Sequence, residues 1–170
     1  MTTPALTGLF PNQGPTAGGT TVTLTGTNLG DVTTVRFGTT ATAFTMVSPT
    51  QITATAPPGS EGSVQVTASS PGGTSGGVAY YYVALPTLTA VSPGQGPTPG
   101  GTAVTLTGTN LGDVTAVRFG TTAAAFTIVS ATQITATAPT GSAGAVQVTV
   151  TSPGGTSAGL TYTRIALPGI

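Results

Sequence analysis

Residues 11–30 read PNQGPTAGGTTVTLTGTNLG, and residues 93–112 read PGQGPTPGGTAVTLTGTNLG. In both stretches a glycine pair leads into valine and leucine that alternate with threonine, as Val22 and Leu24 do in the first. Alternation of apolar and polar residues is typical of a half-buried β-strand, and paired glycines suit a tight turn at its start. The stretch therefore predicts a strand with one face against a core.

The similarity extends over nearly the whole chain of 170 residues. Residues 11–86 and 93–168 align without a gap, and 58 of the 76 aligned positions are identical. A unit of this length is too long for a solenoid repeat and has the size of a small domain. We therefore expect two domains, at residues 1–85 and 86–170. The positions they share form the scaffold, and the positions that differ are where their roles can separate.

Each unit contains about seven short segments with strand-like alternation. In the first unit the predicted strands cover residues 6–10, 20–27, 35–37, 44–46, 51–56, 64–69 and 78–82. Turns rich in glycine, proline or asparagine are predicted at residues 15–19, 28–31, 38–40, 57–62 and 71–73. No segment has helical periodicity, so the predicted fold class is all-β, with a two-sheet sandwich in each unit. The predicted core includes Phe37, Phe44, Phe119 and Phe126.

Charge is almost absent from this chain. Only six residues are charged: Asp31, Arg36, Glu61, Asp113, Arg118 and Arg164. The net charge is zero, which removes the repulsion that keeps soluble domains apart and favours a homo-oligomer or a filament. The chain has no basic stripe for nucleic acid, so no nucleic-acid partner is expected. Its cysteine count is zero, which excludes disulfides.

Catalytic and metal-binding side chains are equally scarce. Without His, Cys or Lys the usual bases and nucleophiles are missing, so the sequence does not indicate an enzyme, and no cofactor is expected. Asn28 with Asp31, and Asn110 with Asp113, offer oxygen ligands for calcium, but one carboxylate per turn is few for that ion. The alternative is that these side chains cap their own turns, and no metal site is predicted.

The spacing of several glycine, proline and apolar positions that recur in both units resembles the IPT/TIG family of immunoglobulin-like domains. The resemblance rests on Pro11, Gly14, Gly18-Gly19-Thr20, Val22, Leu24, Gly26, Asn28-Leu29-Gly30, Val35, Phe37-Gly38, Ile52 to Pro57 and Gly62 to Val66. The second unit carries the same pattern from Pro93 to Val148. The resemblance implies two tandem immunoglobulin-like β-sandwiches and a non-catalytic role as a spacer, an interface or a carbohydrate-associated module. The basic loops of the DNA-binding relatives have no counterpart here.

Function is expected to be structural. The neutral, threonine-rich surface favours a building block or decoration of an extracellular fibre, a cell surface or a phage-like particle, which assembles by self-association. The alternative is a carbohydrate-binding adhesion module, with a glycan as its partner. No signal peptide is visible, and residues 78–85, the longest apolar run, are too short to cross a bilayer as a helix, so membrane insertion is not expected.

Candidate interface residues come from the ends of the two units. Tyr81 and Tyr82 differ from their counterparts Thr163 and Arg164, so they are predicted either to contact a partner or to pack against the second domain. The segment that includes Arg164, Ile165 and Leu167 corresponds to the linker after the first unit. It is predicted to meet the region around Leu6 of another molecule, head to tail. The alternative is a frayed remnant of the duplication.

Overall fold

The computed structural model describes residues 2–169, and nearly all of its regular structure is β-strand. The chain divides between Ala84 and Leu85 into two units, each with its own core. The predicted all-β class is therefore confirmed. Within residues 2–169 no helix has the length and apolar character needed to cross a membrane.

The first unit contains ten strands and one short 3-10 helix. The strands are β1 Ala5–Phe10, β2 Gln13–Pro15, β3 Thr21–Thr27, β4 Thr34–Phe37, β5 Thr40–Thr42, β6 Phe44–Ser48, β7 Gln51–Thr55, β8 Gly62–Ser70, β9 Gly73–Thr74 and β10 Val78–Val83. The 3-10 helix covers Leu29–Asp31, between β3 and β4.

The second unit repeats these ten strands. They are β11 Thr87–Ser92, β12 Gln95–Pro97, β13 Ala103–Thr109, β14 Ala116–Phe119, β15 Thr122–Ala124, β16 Phe126–Ser130, β17 Gln133–Thr137, β18 Gly144–Ser152, β19 Gly155–Thr156 and β20 Leu160–Ile165.

Each unit folds into two sheets. In the first unit one sheet has the order β1-β3-β7-β6, and the other has the order β2-β10-β8-β4-β5, with β9 paired to β8. The pairs are antiparallel except for β2 and β10, which run parallel. The second unit has the same topology, with β11-β13-β17-β16 and β12-β20-β18-β14-β15. This is the two-sheet sandwich that the alternation predicts.

Three strands per unit lie where the sequence predicts turns or no structure. In the first unit these are β2, β5 and β9, which are only two or three residues long. Segments this short cannot show a period of two, and each pairs along the border of a longer strand. The prediction of seven strands is therefore low by three, and the predicted turns 38–40 and 71–73 each run into a short strand.

Apolar side chains from the two sheets meet in one core per unit. The first core contains Val22, Leu24, Leu29, Val32, Val35, Phe37, Ile52, Ala54, Ala56, Val66, Ala68, Tyr80 and Tyr82. At its centre the rings of Phe37 and Tyr80 pack edge to face, with centroids 5.1 Å apart, and Phe119 and Tyr162 repeat this contact at 5.1 Å. Phe44 and Phe126 are partly buried against the two cores. Full burial of a valine, leucine, isoleucine or phenylalanine side chain in these cores contributes about 1.5–3 kcal/mol to the stability of the fold.

Gly26 allows two backbones to approach closely. Between Leu6 and Gly8 the register of β1 shifts against β3, which is a β-bulge, and Gly26 lies opposite Leu6. A Cβ atom at position 26 would overlap the carbonyl oxygen of Ala5. The equivalent Gly108 meets the carbonyl of Thr87 in the same way. A side chain at this position would therefore force β1 away from β3.

We expect Gly26→Ala to lower the free energy of unfolding of the first unit by about 2–4 kcal/mol, because backbone must move to accept the methyl group. Gly30→Ala is the matched control, since no atom lies within 4 Å of a Cβ there; it should change stability by less than about 0.5 kcal/mol. Urea unfolding of the full chain, followed by circular dichroism, measures both. Equal stability of the two variants would contradict the close approach of the Ala5 carbonyl to Gly26.

Candidate functional site

Tyr82 is a core residue. Its side chain is 4% exposed, and its ring packs edge to face on Tyr80 with centroids 5.2 Å apart. Its hydroxyl donates a hydrogen bond of 2.6 Å to the carbonyl oxygen of Pro57. Tyr80 and Tyr82 lie on the same inner face of β10, because side chains two residues apart in a strand point the same way. The prediction that Tyr82 forms part of an exposed interface is therefore wrong.

Tyr81 lies on the opposite face of β10. It is 47% exposed and pairs in register with Gln13 of β2 and Ser63 of β8. Thr163 takes this place in the second unit, so the exposed ring belongs to the first unit alone. Tyr81 is available for contact with a partner, and that role stays a prediction.

Burial changes the titration of Tyr82. Desolvation of the hydroxyl, with a smaller contribution from nearby Tyr80, raises the pKa of Tyr82 above its ordinary value of 10.0. The folded state therefore holds the proton of Tyr82 more tightly than the unfolded chain does. This contribution to stability is complete below pH 10 and is lost as the pH rises through the folded-state pKa.

A cleft of about 480 Å³ opens beside Tyr82 in the first unit. Its walls come from the turn between β4 and β5 and from the loop that leads into β8. The exposed polar residues along it are Thr39, Thr40, Ser60, Glu61 and Ser63. The rings of Phe37 and Tyr82 also line it, but both are almost fully buried. The cleft therefore offers hydroxyl groups and one carboxylate, rather than an exposed aromatic platform.

Arg164 occupies the place of Tyr82 in the second unit. It is 6% exposed, so its assignment to an exposed interface is also wrong. Its Nε and Nη2 atoms are buried without a hydrogen-bond partner among residues 2–169. A Cβ atom on Gly141 would lie 2.6 Å from Nε, so the loop backbone covers the guanidinium closely. An unpaired buried charge of this kind costs several kcal/mol, because the ion has lost its water.

The last residue of β20 and the chain that follows it expose apolar side chains. Ile165 is 46% exposed and Leu167 is 61% exposed. Leu6, their proposed counterpart in another molecule, is only partly exposed because it packs against the core of its own unit. The head-to-tail contact between these residues stays a prediction.

Asn28 anchors the N-terminal segment instead of capping its own turn. It adopts a left-handed conformation with a φ of 58°, and it makes no side-chain cap hydrogen bond to the 3-10 helix. Its amide donates to the carbonyl of Thr3 at 3.4 Å, as Asn110 does to that of Leu85 at 3.2 Å. The predicted side-chain capping by Asn28 is therefore wrong. Within residues 2–169 no cluster of three or more acidic, His or Cys side chains could hold a metal ion.

The edge strands β6 and β16 expose apolar residues that the sequence analysis missed. Val47 and its counterpart Val129 are 56% and 57% exposed, and Met46 is 41% exposed. Both strands lie at the border of a four-stranded sheet, and the eight strands of these two sheets contain no charged residue. The sequence alone does not predict that Val47 is exposed, because a β-bulge between Met46 and Ser48 interrupts the alternation of inward and outward side chains along β6. The same holds for Val129 in β16.

A family model decides the classification. The IPT/TIG domain model matches residues 4–82 and again residues 86–164. The chain belongs to the IPT/TIG family. The two tandem immunoglobulin-like domains that the sequence motifs imply are thereby confirmed, and each IPT/TIG domain coincides with one of the two sandwiches described above.

Two solved structures are similar to this chain. The chain is similar to the extracellular region of plexin A4, with 26% identity, 95% of this chain covered, 18% of that chain covered and a TM-score of 0.55. It also matches the protein SGBP-B from a xyloglucan utilization locus of Bacteroides uniformis, with 22% identity and a TM-score of 0.43. That match covers 95% of this chain and 49% of SGBP-B. The chain thus spans less than half the length of either protein. A comparison with curated protein sequences finds no match.

We expect Tyr82→Phe to lower the stability of the first IPT/TIG domain by about 1 kcal/mol at neutral pH, because the bond to the Pro57 carbonyl is lost. The difference from the wild type should shrink above pH 10, because the wild type alone then loses the contribution of the Tyr82 proton. Unfolding in urea at pH values on both sides of 10 measures this. Tyr81→Phe, on the exposed face, is the control; a pH-independent difference for Tyr82→Phe would contradict the role of burial.

Proposed function

We propose that this tandem IPT/TIG chain is a non-catalytic structural component that associates with copies of itself in an extracellular or particle-surface assembly. The observation that carries the proposal is the pair of uncharged edge strands, β6 and β16, with exposed Val47 and Val129. An edge strand has backbone groups without a partner strand on one side, so it can accept another strand. Pairing of this kind would extend a four-stranded sheet from one molecule into the next.

The usual protection of edge strands is reduced here. Natural proteins often place lysine or another charge on an exposed edge to prevent pairing. This chain has no lysine, and β6 and β16 carry no charge. The β-bulge in each strand bends the edge and limits how many residues can pair, so it favours a short, specific contact over open-ended aggregation.

The duplication provides two such edges per molecule. Phe44–Ser48 and Phe126–Ser130 differ at one position only, where methionine replaces isoleucine. A molecule with two equivalent contact strands can join more than one neighbour, which supports growth beyond a dimer. The exposed residues Tyr81, Ile165 and Leu167 lie on or after β10 and β20, in the other sheet of each unit, and we propose them as a second, separate contact between copies.

Family and composition support the non-catalytic and extracellular parts of the proposal. The chain contains no His, Cys or Lys, the residues from which most catalytic bases and covalent nucleophiles are drawn. The plexin A4 structure with which it shares 26% identity is described as a full extracellular region.

We expect the double variant Val47→Lys and Val129→Lys to weaken self-association at least about tenfold, because pairing would bring lysine ammonium groups into an apolar contact. Sedimentation velocity over a range of protein concentrations measures the association constant, and electron microscopy shows whether ordered assemblies form. The wild-type protein should form larger species as its concentration rises. The double variant should remain monomeric over the same range.

Gln65→Lys with Gln147→Lys is the matched control. Both glutamines are exposed on β8 and β18 of the other sheet, so this pair adds the same charge away from the edges. Equal loss of association in both double variants would show that net charge, not the edge strands, is responsible. A wild type that stays monomeric at every concentration would contradict the proposed function itself.

Glycan binding is the second candidate function, and the cleft beside Tyr82 is the observation that favours it. Its hydroxyl groups and the Glu61 carboxylate are groups that hydrogen-bond to sugar hydroxyls. On a glycan array we expect saturable binding by the wild type and at least about tenfold weaker binding by Glu61→Ala, since a charged acceptor is lost. Uniform absence of binding across neutral oligosaccharides would remove this candidate.

A further inference from the structure

Phe10 presents a large aromatic ring to solvent. It is 79% exposed, more than any other large apolar side chain among residues 2–169. It ends β1, at the opposite border of its sheet from β6. Its neighbour Leu9 packs against the core, so the alternation of side chains along a strand directs Phe10 to the outer face. The ring therefore belongs to the outer surface of the four-stranded sheet, whereas the cleft beside Tyr82 belongs to the other sheet.

A row of threonines crosses the sheet beside this ring. Phe10 pairs in register with Thr23 of β3. Thr23 pairs with Thr53 of β7, and Thr53 pairs with Thr45 of β6. Directly paired residues place their side chains on the same face, so one aromatic ring and three hydroxyl groups form a line across four strands. Because neighbouring strands lie about 4.8 Å apart, the line extends roughly 14 Å.

A shallow depression of about 130 Å³ lies at the far end of this row. Its lining includes Thr45 and Thr53 from the row, and Thr21 and Thr55 from the adjacent pair of β3 and β7. Thr53 lies two strands away from Phe10, so the ring and the depression are roughly 10 Å apart. The face thus offers an aromatic surface at one end and a hydroxyl-lined depression at the other.

The composition of this face indicates the chemistry of its ligand. Strands β1, β3, β6 and β7 contain no charged residue, so the face does not favour an ionic ligand. A protein contact usually has an apolar centre, whereas the centre of this row consists of hydroxyl groups. A sugar ring carries C–H groups that pack on an aromatic ring, and hydroxyl groups that both donate to and accept from threonine hydroxyls. A neutral sugar therefore fits both parts of the face.

We propose that the outer face of the first domain's four-stranded sheet binds a neutral oligosaccharide. One sugar ring stacks on Phe10, and the ligand crosses the strands along the threonine row to the depression between Thr45 and Thr53. Because the two ends of the site are roughly 10 Å apart, the ligand has more than one sugar ring. The site goes beyond the glycan cleft considered above, which lies on the other sheet, and does not depend on it.

The second domain carries the same row without the aromatic ring. Ser92 stands in the place of Phe10, and Ala103 stands in the place of Thr21. The threonines of the row recur as Thr105, Thr127 and Thr135. We therefore expect one sugar site per chain, in the first domain.

Isothermal titration calorimetry of the full chain with cellohexaose, xylohexaose, mannohexaose and maltohexaose tests the site. At least one of these neutral hexasaccharides should bind saturably, with one site per chain. The corresponding monosaccharide should bind at least about tenfold more weakly, because a single ring cannot reach both ends of the site. The titrations use protein concentrations below those at which sedimentation shows self-association.

Phe10→Ser should weaken binding of the hexasaccharide at least about tenfold, because the stacking surface is lost. The fold should be retained, since the second domain has serine at this place. Tyr81→Ser is the matched control, because it removes an exposed ring from the other sheet, and it should change binding by less than about twofold.

Thr53→Val should weaken binding about fivefold, because it removes a hydroxyl group from the middle of the row and keeps the shape of the side chain. Thr67→Val is its control. Thr67 is partly exposed, as Thr53 is, and lies on the outer face of β8 in the other sheet. This control variant should bind as the wild type does.

A gain of binding provides a further test. The double variant Ser92→Phe and Ala103→Thr gives the second domain the aromatic ring and the threonine that it lacks. The number of sugar sites per chain should then rise from one to two, with similar affinities. A double variant that still binds one sugar per chain would contradict the assignment of the site to this face.

The proposal is overturned if none of the four hexasaccharides binds, or if Tyr81→Ser weakens binding as much as Phe10→Ser does. Binding that Glu61→Ala abolishes and Phe10→Ser leaves intact would place the sugar in the cleft beside Tyr82 instead. Weaker self-association of Phe10→Ser in sedimentation velocity, with unchanged sugar binding, would show that the ring contacts another copy of the chain and not a sugar.

Discussion

Apolar contact between the two sheets of each sandwich is the constraint on which the rest of the structure depends. The chain has no cysteine and only six charged residues, so neither disulfides nor ion-pair networks can carry its stability. In each core one ring pair, Phe37 on Tyr80 and Phe119 on Tyr162, joins two strands of the same sheet on the face that is buried against the other sheet. Because each domain is small and buries a modest core, a change at one of these positions affects a large share of its total stability.

The period-two alternation predicts the long strands and most of the core, since burial and strand geometry share that period. It does not predict β2, β5 and β9, which are too short to show a period. The error at Tyr82 and Arg164 has a different cause: a position whose residue differs between the two copies can still face the core, as both of these do. Strand geometry alone places residue 82 on the same face as Tyr80, and residue 164 on the same face as Tyr162. The exposed valines at positions 47 and 129 depend on which strand ends the sheet, and sheet order is a property of the whole fold.

Equivalent buried positions in the two domains, 82 and 164, hold chemically different side chains, Tyr82 and Arg164. In both domains a glycine of the neighbouring loop, Gly59 or Gly141, lies against the buried side chain and leaves no room for a Cβ atom. This backbone contact accepts a flat group, either a phenol ring or a guanidinium, although the hydroxyl of Tyr82 finds an acceptor there and Nε and Nη2 of Arg164 do not among residues 2–169. The two IPT/TIG domains therefore share their packing and differ in their electrostatics at one end of the sandwich.

The near identity of the two domains also affects how the chain reaches its fold. Strands β7 and β17 have the same sequence, QITAT, and β3 and β13 share the run VTLTGT. During folding, β17 can complete the first sheet almost as well as β7 does, and this exchange of strands between domains is a known route to misassembly in repeat proteins. Emergence of the first domain from the ribosome ahead of the second reduces the competition. Refolding of the complete chain from denaturant has no such order, so strand-exchanged species are a hazard of refolding more than of synthesis.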